Sequence, residues 1–245
     1  MSYIICDLGP LGPKTPFIVN ENNEKIAVAI MNLDEASRSE WLDLRKWGLG
    51  GSDLGVVLGY PGYKTLEQMN QTKGPIGKTE EFDNEAMRWG RKLETPVAEM
   101  ATEDLICQTI RFPYMLQSLT SPALLANVDY LITQNNHSYE AGVINELNAD
   151  EKTAIAAVLE IKTTGITGRP NSLSQGILPK TYEAQVLHYC TTLGINEYIV
   201  ATLVGGQGLK LIEGVFTDAD IYEAEKCAQN WAQEQTWFTP IYETI

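Results

Sequence analysis

Val158-Leu159-Glu160-Ile161-Lys162-Thr163-Thr164 is the stretch on which the fold turns. It has the apolar content of a buried strand with two charges set into it. Successive side chains of a strand point to opposite faces, so Glu160 and Lys162 project from one side and Leu159 and Ile161 from the other. One face is core, and the other sets a carboxylate beside an ammonium. Upstream, Leu124-Leu125-Ala126-Asn127-Val128-Asp129-Tyr130-Leu131-Ile132 is a second apolar strand with one acid, Asp129. An acid on one strand followed by Glu-x-Lys on the next is what metal-dependent phosphodiester hydrolysis needs. Two carboxylates converge on Mg²⁺ or Mn²⁺, and a lysine stands beside the attacking water. A surface ion pair on a strand satisfies the same spacing, so the decision passes to the rest of the chain.

With 245 residues, 44% of them hydrophobic, the chain reads as one large domain, or one domain with a small extension. No apolar run approaches about 20 residues, so no membrane span is expected. Met1-Ser2-Tyr3-Ile4-Ile5-Cys6-Asp7 has no basic leader, so no signal peptide is expected either. Cys6, Cys107, Cys190 and Cys227 are too scattered for a zinc knuckle or an iron–sulfur site and read as reduced thiols in a cytosol. A net charge of −14 argues against a protein that coats nucleic acid non-specifically. The charge is uneven, however. Residues 36–92 hold nine Lys/Arg against eight acids, whereas residues 93–245 hold seven against nineteen. An enzyme that grips a phosphodiester in one groove needs only such a local patch, especially when a metal adds positive charge. A helical region with mixed, solvated charge gives the same count.

Residues 1–25 read as an irregular arm, punctuated by Gly9-Pro10, Gly12-Pro13 and Asn22-Asn23, with a short strand at Lys25–Met31. Asp34 is placed to cap a helix through Trp41, Leu42 and Arg45 to about Trp47. Next come Gly48-Leu49-Gly50-Gly51-Ser52-Asp53, where the glycines permit a tight turn and Ser52 is placed to cap a short helix. Backbone N–H groups at such a turn suit a terminal phosphate, and Arg45 stands one helical turn before it. A plain helix–turn–helix corner fits the same residues. Thr65 to Lys73 reads as a further short helix and Gly74–Lys78 as a loop. Asn84 caps a long helix with Met87, Trp89, Leu93, Val97 and Met100 on its apolar side, Glu94 at the edge of that stripe, and a kink expected at Pro96. Thr109–Gln117 and Pro122–Thr133 read as neighbouring strands, and Asn135–Ser138 and Glu146–Lys152 as polar connections. After Pro179 a helix places Gln185, His188 and Tyr189 on one face. Tyr198–Val204 and Leu209–Phe216 form a hairpin, and Asp218 caps a last helix. The pattern predicts an α/β fold, a mixed central β-sheet flanked by helices on both faces.

Taken in order, Arg45…Gly50-Gly51-Ser52-Asp53, Met87-x-Trp89-Gly90-x-x-Leu93-Glu94, Asp129, Leu159-Glu160-Ile161-Lys162-Thr163 and Tyr182-x-x-Gln185-Val186-x-x-Tyr189 resemble the YqaJ-like viral recombinases. These are the lambda-exonuclease branch of the PD-(D/E)XK nucleases, and the resemblance runs from about Trp41 to Val204. It implies a restriction-endonuclease-like core, with residues 1–33 as an N-terminal arm and short strand and 34–245 as a single nuclease domain. By resemblance, Asp129 and Glu160 are the metal-binding carboxylates, with the Ile161 carbonyl as a further ligand and Glu94 completing the site. Lys162 orients or deprotonates the attacking water, and Gln185 supports water and lysine. Arg45 and Ser52 form the pocket for a 5′-phosphate. The resemblance further implies a Mg²⁺-dependent (Mn²⁺ as the substitute) 5′→3′ exonuclease on duplex DNA ends. It implies a trimeric ring, a single-strand annealing protein as partner, and the cytoplasm of a bacterial host carrying a phage or prophage.

Asp129 is preceded by Val128 where the family often has proline, and the segment between Asp129 and Glu160 is long, which implies an extended hairpin. Lys162, beside carboxylates, is expected to stay charged unless desolvated, which favours positioning over a pure general-base role. His188 reads as a packing or hydrogen-bonding histidine, and Trp89 and Tyr189 as core. Two rival functions share the fold: an endonuclease, which would cut closed circles, and a catalytically inactive binding module. The intact Asp129, Glu160 and Lys162 speak against the second.

Overall fold

The computed structural model describes residues 1–9, 11–62, 64–78, 83–134, 142–144, 152–165 and 172–244. Asn135–Ser138 and Glu146–Glu151, expected as polar connections, lie outside the described residues. The architecture is a mixed α/β layer built around one strand, β9 (Thr153–Thr164). Its apolar run Ala154 to Leu159 sets the core of the strand, and both of its edges are paired. One edge is shared. β1 (Ser2–Gly9) runs antiparallel along residues 153–155, and β10 (Glu197–Val204) runs parallel along residues 158–164. The other edge carries β7 (Tyr130–Thr133), antiparallel, with Tyr130 opposite Leu159.

From β1 the sheet continues through β2 (Gly12–Val19), β3 (Lys25–Asn32), β5 (Tyr114–Ser118) and β6 (Leu125–Asn127). From β7 it continues through β4 (Gln108–Arg111) and β8 (Gly142–Ile144), while β11 (Gly208–Val215) closes on β10. The two faces are covered differently. Leu159 and Ile161 pack with Ala201 and Tyr130 under α4 (Glu85–Leu105), through Val97, Ala98 and Ala101. Val158 and Val200 pack under α5 (Lys180–Leu193), through Val186, Leu187, Cys190 and Leu193, with α2 (Gly51–Val57) and α6 (Asp218–Glu234) alongside. Each fully buried aliphatic side chain contributes about 1.5–3 kcal/mol relative to exposure. The alternation along β9 therefore fixes which charges face which helix: Glu160 and Lys162 share the Val158 side, toward α5.

Several local expectations are corrected. The N-terminal residues are not an irregular arm; β1 and β2 form a hairpin of the main sheet, with Tyr3 opposite Val19 and Gly9 opposite Gly12. Gly and Pro at its turn end masked the apolar runs at Tyr3-Ile4-Ile5 and Phe17-Ile18-Val19. Asp34 caps nothing: Ser37 caps α1 (Arg38–Arg45) in a reciprocal capping box with Glu40, and Asp34 pairs with Arg111 instead. Gly50, not Ser52, is the N-cap of α2, Thr217 rather than Asp218 caps α6, and Thr65 caps α3 (Leu66–Asn70). The two long strands expected at 109–117 and 122–133 are each split, at Phe112-Pro113 and at Val128-Asp129. β4 and β5 end up far apart in the sheet. α4 runs unbroken through Pro96, and its buried face is Val97, Ala98, Ala101 and Thr102. Small residues there let the helix sit close to the sheet, which turns Trp89 outward, 49% exposed, with the Lys92 ammonium 5.5 Å from its ring centroid. The core placement expected for Trp89 does not hold.

His188 ties α5 to the glycine turn. Its Nε2 donates to the Leu49 carbonyl at 2.8 Å as a neutral imidazole, and burial pulls its pKa down to about 4 against the partial support of that carbonyl. The sign follows directly. Between about 6.5 and about 4 the unfolded chain binds a proton that the folded chain refuses, so stability is full above 6.5 and falls as pH drops through that window. The His188 share of that loss is up to about 3 kcal/mol. Urea unfolding at pH 7 and pH 4.5 is expected to show a smaller drop for His188→Gln than for the wild type; equal drops would refute the assignment.

Candidate active site

The ladder between β7 and β9 ends at Tyr130 and Leu159, which leaves the Ile161 N–H without a strand partner on that edge. Asp129, at the break before β7, supplies one: its Oδ2 accepts from the Ile161 N–H at 3.0 Å. This pins the acid over the Glu160–Lys162 segment. On the α5 side of β9, the Lys162 ammonium ion-pairs with Glu160 Oε1. From α5, Gln185 Nε2 donates to the same Glu160 oxygen at 2.9 Å and to Tyr189 Oη at 2.9 Å. The second oxygen, Glu160 Oε2, is buried and has no partner among the described residues. The structure thus gathers Asp129, Glu160, Lys162 and Gln185 as the sequence anticipated. Glu94, on α4, joins them electrostatically. The Ile161 backbone takes part through its N–H.

Three carboxylates face one ammonium. Burial, then the Asp129 charge, raises Glu160 to about 8 against the pull of Lys162. Burial and Asp129 likewise raise Glu94 to about 7, opposed by Arg111, Lys162 and Arg91. Burial raises Asp129 too, against Lys162 and the Ile161 N–H. Burial would lower Lys162, but Glu160 and Asp129 outweigh it and raise its pKa. The lysine is a fixed cation, and the acids are short of positive charge.

Arg45 and Ser52 meet at a second centre. Arg45 Nη2 donates to Ser52 Oγ at 3.5 Å, and its guanidinium lies 4.6 Å from the Trp41 ring centroid. Two glycines sit at close approaches, one to the flexible end of an arginine and one to a ring. A Cβ on Gly50 would stand 2.7 Å from Arg45 Nη2, and one on Gly51 2.8 Å from the Tyr189 ring. The Gly50 N–H is already taken by Asp53 Oδ2 at 2.9 Å, so that amide is closed to any other acceptor. Asp53 is the residue that sequence reasoning quoted without giving it a role. It is buried and accepts from Lys73 Nζ at 2.7 Å and from Lys64, while Lys73 also donates to the Arg45 and Gly48 carbonyls. Burial would raise the Asp53 pKa, but Lys73, Arg45 and Lys64 hold it well below the usual carboxylate range. A cavity of about 210 Å³ opens on Arg45, Lys46, Lys64 and Lys73, four cations against Asp53. The signal for Asp53 was its place three residues after the N-cap Gly50, the spacing of a capping box. Nothing local marked Lys73.

These features fall within one family's footprint. Residues 40–196 match the YqaJ-like viral recombinase domain, a span that holds Arg45, Ser52, Glu94, Asp129, Glu160, Lys162 and Gln185. The chain belongs to this family. The uncharacterized protein YqaJ of Bacillus subtilis (strain 168) is 30% identical over 184 residues, which cover 74% of this chain and 51% of that protein. The chain therefore spans about half the length of that curated relative. Among solved structures, an alkaline exonuclease (LHK-Exo) from Laribacter hongkongensis superposes with a TM-score of 0.57, covering 80% of this chain and 91% of that chain at 16% identity. LHK-Exo in complex with dAMP gives 0.58 over the same coverage. At that identity the likeness establishes the fold: this YqaJ-like chain has the alkaline-exonuclease, PD-(D/E)XK kind of core.

Removing Asp53 leaves the Lys73 ammonium buried without a counter-charge. Asp53→Ala is expected to cost about 3–5 kcal/mol in urea unfolding, and the double variant Asp53→Ala/Lys73→Met to recover most of it. A cost below about 1 kcal/mol for the single variant would show that the pair is not what holds the turn.

Proposed function

We propose that the chain is a metal-dependent deoxyribonuclease that removes nucleotides from the 5′ ends of duplex DNA, 5′→3′, in phage-type recombination. The observation that supports this most is the grouping of Asp129, Glu160, Lys162 and Gln185 at one end of β9, with Glu160 Oε2 unpartnered. Family membership and the alkaline-exonuclease fold point the same way.

The donor chemistry fits a hard divalent cation. Asp129, Glu160 and Glu94 offer only oxygens, the ligands Mg²⁺ and Mn²⁺ prefer. Among the described residues no three such side chains are already set around a single ion; Lys162 holds one Glu160 oxygen and leaves the other open. In the proposed enzyme Asp129 and Glu160 hold the ion, with the Ile161 carbonyl and Glu94 in support. When bound, the ion supplies charge that stabilises the phosphoryl oxygens and acidifies a water. Lys162, a permanent ammonium, positions the attacking water by donating to it rather than abstracting its proton. Gln185 keeps Glu160 in register through its two amide hydrogens. Arg45 and Ser52, backed by the cationic cavity, receive the terminal 5′-phosphate and so set polarity. The cations that line this cavity answer the −14 net charge locally. By the family reading, the active form is an oligomeric ring, a trimer, that works with a single-strand annealing protein in a bacterial cytoplasm.

The test uses linear duplexes with and without a 5′-phosphate, and a closed circle, in Mg²⁺ and in EDTA. Loss of only the 5′-phosphorylated strand, abolished by EDTA and slowed about 10²–10³-fold by Lys162→Ala, is the expected result. Arg45→Ala is expected to erase the preference for 5′-phosphate. Cutting of the circle would move the reading to an endonuclease, and DNA binding without any cutting in Mg²⁺ or Mn²⁺ to an inactive module.

A further inference from the structure

We infer that Tyr182 is a positioning residue whose ring face keeps the Lys162 ammonium in place when Glu160 is engaged elsewhere; the inference rests on the nuclease reading above. The need for such a residue follows from a conflict of roles. The carboxylate that would hold the ion is the one that now holds the lysine. Among the described residues, Glu160 is the salt-bridge partner of Lys162. Once Glu160 shares its charge with an ion, that tie weakens, and the ammonium is repelled by the second cation as well. A lysine has a long flexible stem and a strongly hydrated head, so an untethered one drifts into water. The way out is open, because the Lys162 side chain is 18% exposed. A lysine that aims a water needs a second anchor, one for which an ion does not compete.

The neighbouring strand does not supply it. Thr202 stands beside Lys162 in the β9–β10 ladder, and its buried hydroxyl has no partner among the described residues. The helix above does. Lys162 Nζ lies 5.0 Å from the centroid of the Tyr182 ring, inside the range of about 6 Å over which a ring face attracts a cation. That face draws an ammonium through its quadrupole and offers a hard divalent ion none of the oxygens it prefers. The carboxylate and the ring are therefore anchors of different kinds, and only the carboxylate is shared with the ion.

Spacing along α5 joins this contact to the rest of the site. Tyr182, Gln185 and Tyr189 recur at i, i+3 and i+7, one stripe of the helix. Gln185 holds Glu160 while Tyr182 holds Lys162. One helix thus sets the acid and the lysine of the Glu-x-Lys pair separately, and the lysine keeps its aim when the acid changes partner.

The experiment takes two readouts on the full chain. The first is NMR of protein carrying isotope-labelled lysine, with the Lys162 ε-methylene signal assigned by its loss in Lys162→Ala. A ring face shifts that signal upfield. The shift is expected in EDTA, to persist in saturating Mg²⁺, to remain in Tyr182→Phe and to vanish in Tyr182→Leu. A shift that disappears on adding Mg²⁺, or that survives Tyr182→Leu, overturns the inference. The second readout is cleavage of 5′-phosphorylated duplex. Tyr182→Leu is expected to lower kcat about tenfold with KM unchanged, the size of one partly desolvated cation–π contact. Tyr182→Phe is expected to recover most of that loss, and in a Lys162→Ala background Tyr182→Leu is expected to add nothing. An equal loss in both backgrounds would make Tyr182 a packing residue and sink the inference while the nuclease stands. If Tyr182→Leu fails to fold, a ring-fluorinated phenylalanine at position 182 keeps the shape and weakens the attraction; an unchanged kcat there overturns the inference, and a lowered one supports it. If no duplex is cut, the nuclease reading fails, and the NMR readout decides the ring contact by itself.

Discussion

At the end of β9 three carboxylates crowd together, Glu160 buried and Asp129 and Glu94 half-buried, around a single ammonium. Glu160 and Lys162 could not avoid each other, because a strand puts alternate residues on one face. Asp129 could not leave, because its carboxylate closes the ladder at the Ile161 N–H. The surplus negative charge is therefore built into the backbone pairing. Burial raises the proton affinity of all three acids, and the Lys162 ammonium gains from the same imbalance.

The glycine turn is the mirror image, with one buried carboxylate, Asp53, among Lys73, Lys64 and Arg45. Acids outnumber the ammonium at one centre, and cations outnumber the carboxylate at the other. They are joined by direct contacts: Gly51 against the Tyr189 ring, Tyr189 to Gln185, and Gln185 to Glu160. That chain explains why the turn needs glycine at Gly51. A side chain at Gly51 would push on the Tyr189 ring and so disturb the carboxylate centre from the turn, whereas one at Gly50 would push on Arg45 within the turn itself.

Much of this was legible in the sequence because it obeys short periods. Glu160 and Lys162 follow the period of two, Gln185 and Tyr189 the helical i,i+4 spacing, and Tyr189 and His188 take the buried positions expected of them. What was missed depends on distant partners. Asp34 looks like a cap until Arg111, 77 residues on, claims it. Ser52 looks like a cap until Asp53, held by Lys73, takes the Gly50 N–H. Trp89 looks like core until Ala98 and Ala101 draw the helix down on another face. The N-terminal hairpin was hidden by the residues of its own turn, which punctuate the sequence just where the apolar alternation would have shown.

The shared edge of β9 bears on how the molecule comes into being. β1 joins it from about 150 residues upstream, and β10 can lie parallel to it only after α5 has crossed over. The strand that carries Glu160 and Lys162 thus depends on pairings that close very long loops, the kind of topology that folds slowly. Asp129 gains its backbone partner only when β7 and β9 meet, and Gln185 reaches Glu160 only when α5 docks. The geometry of the charged end of the strand thus needs both contacts in place.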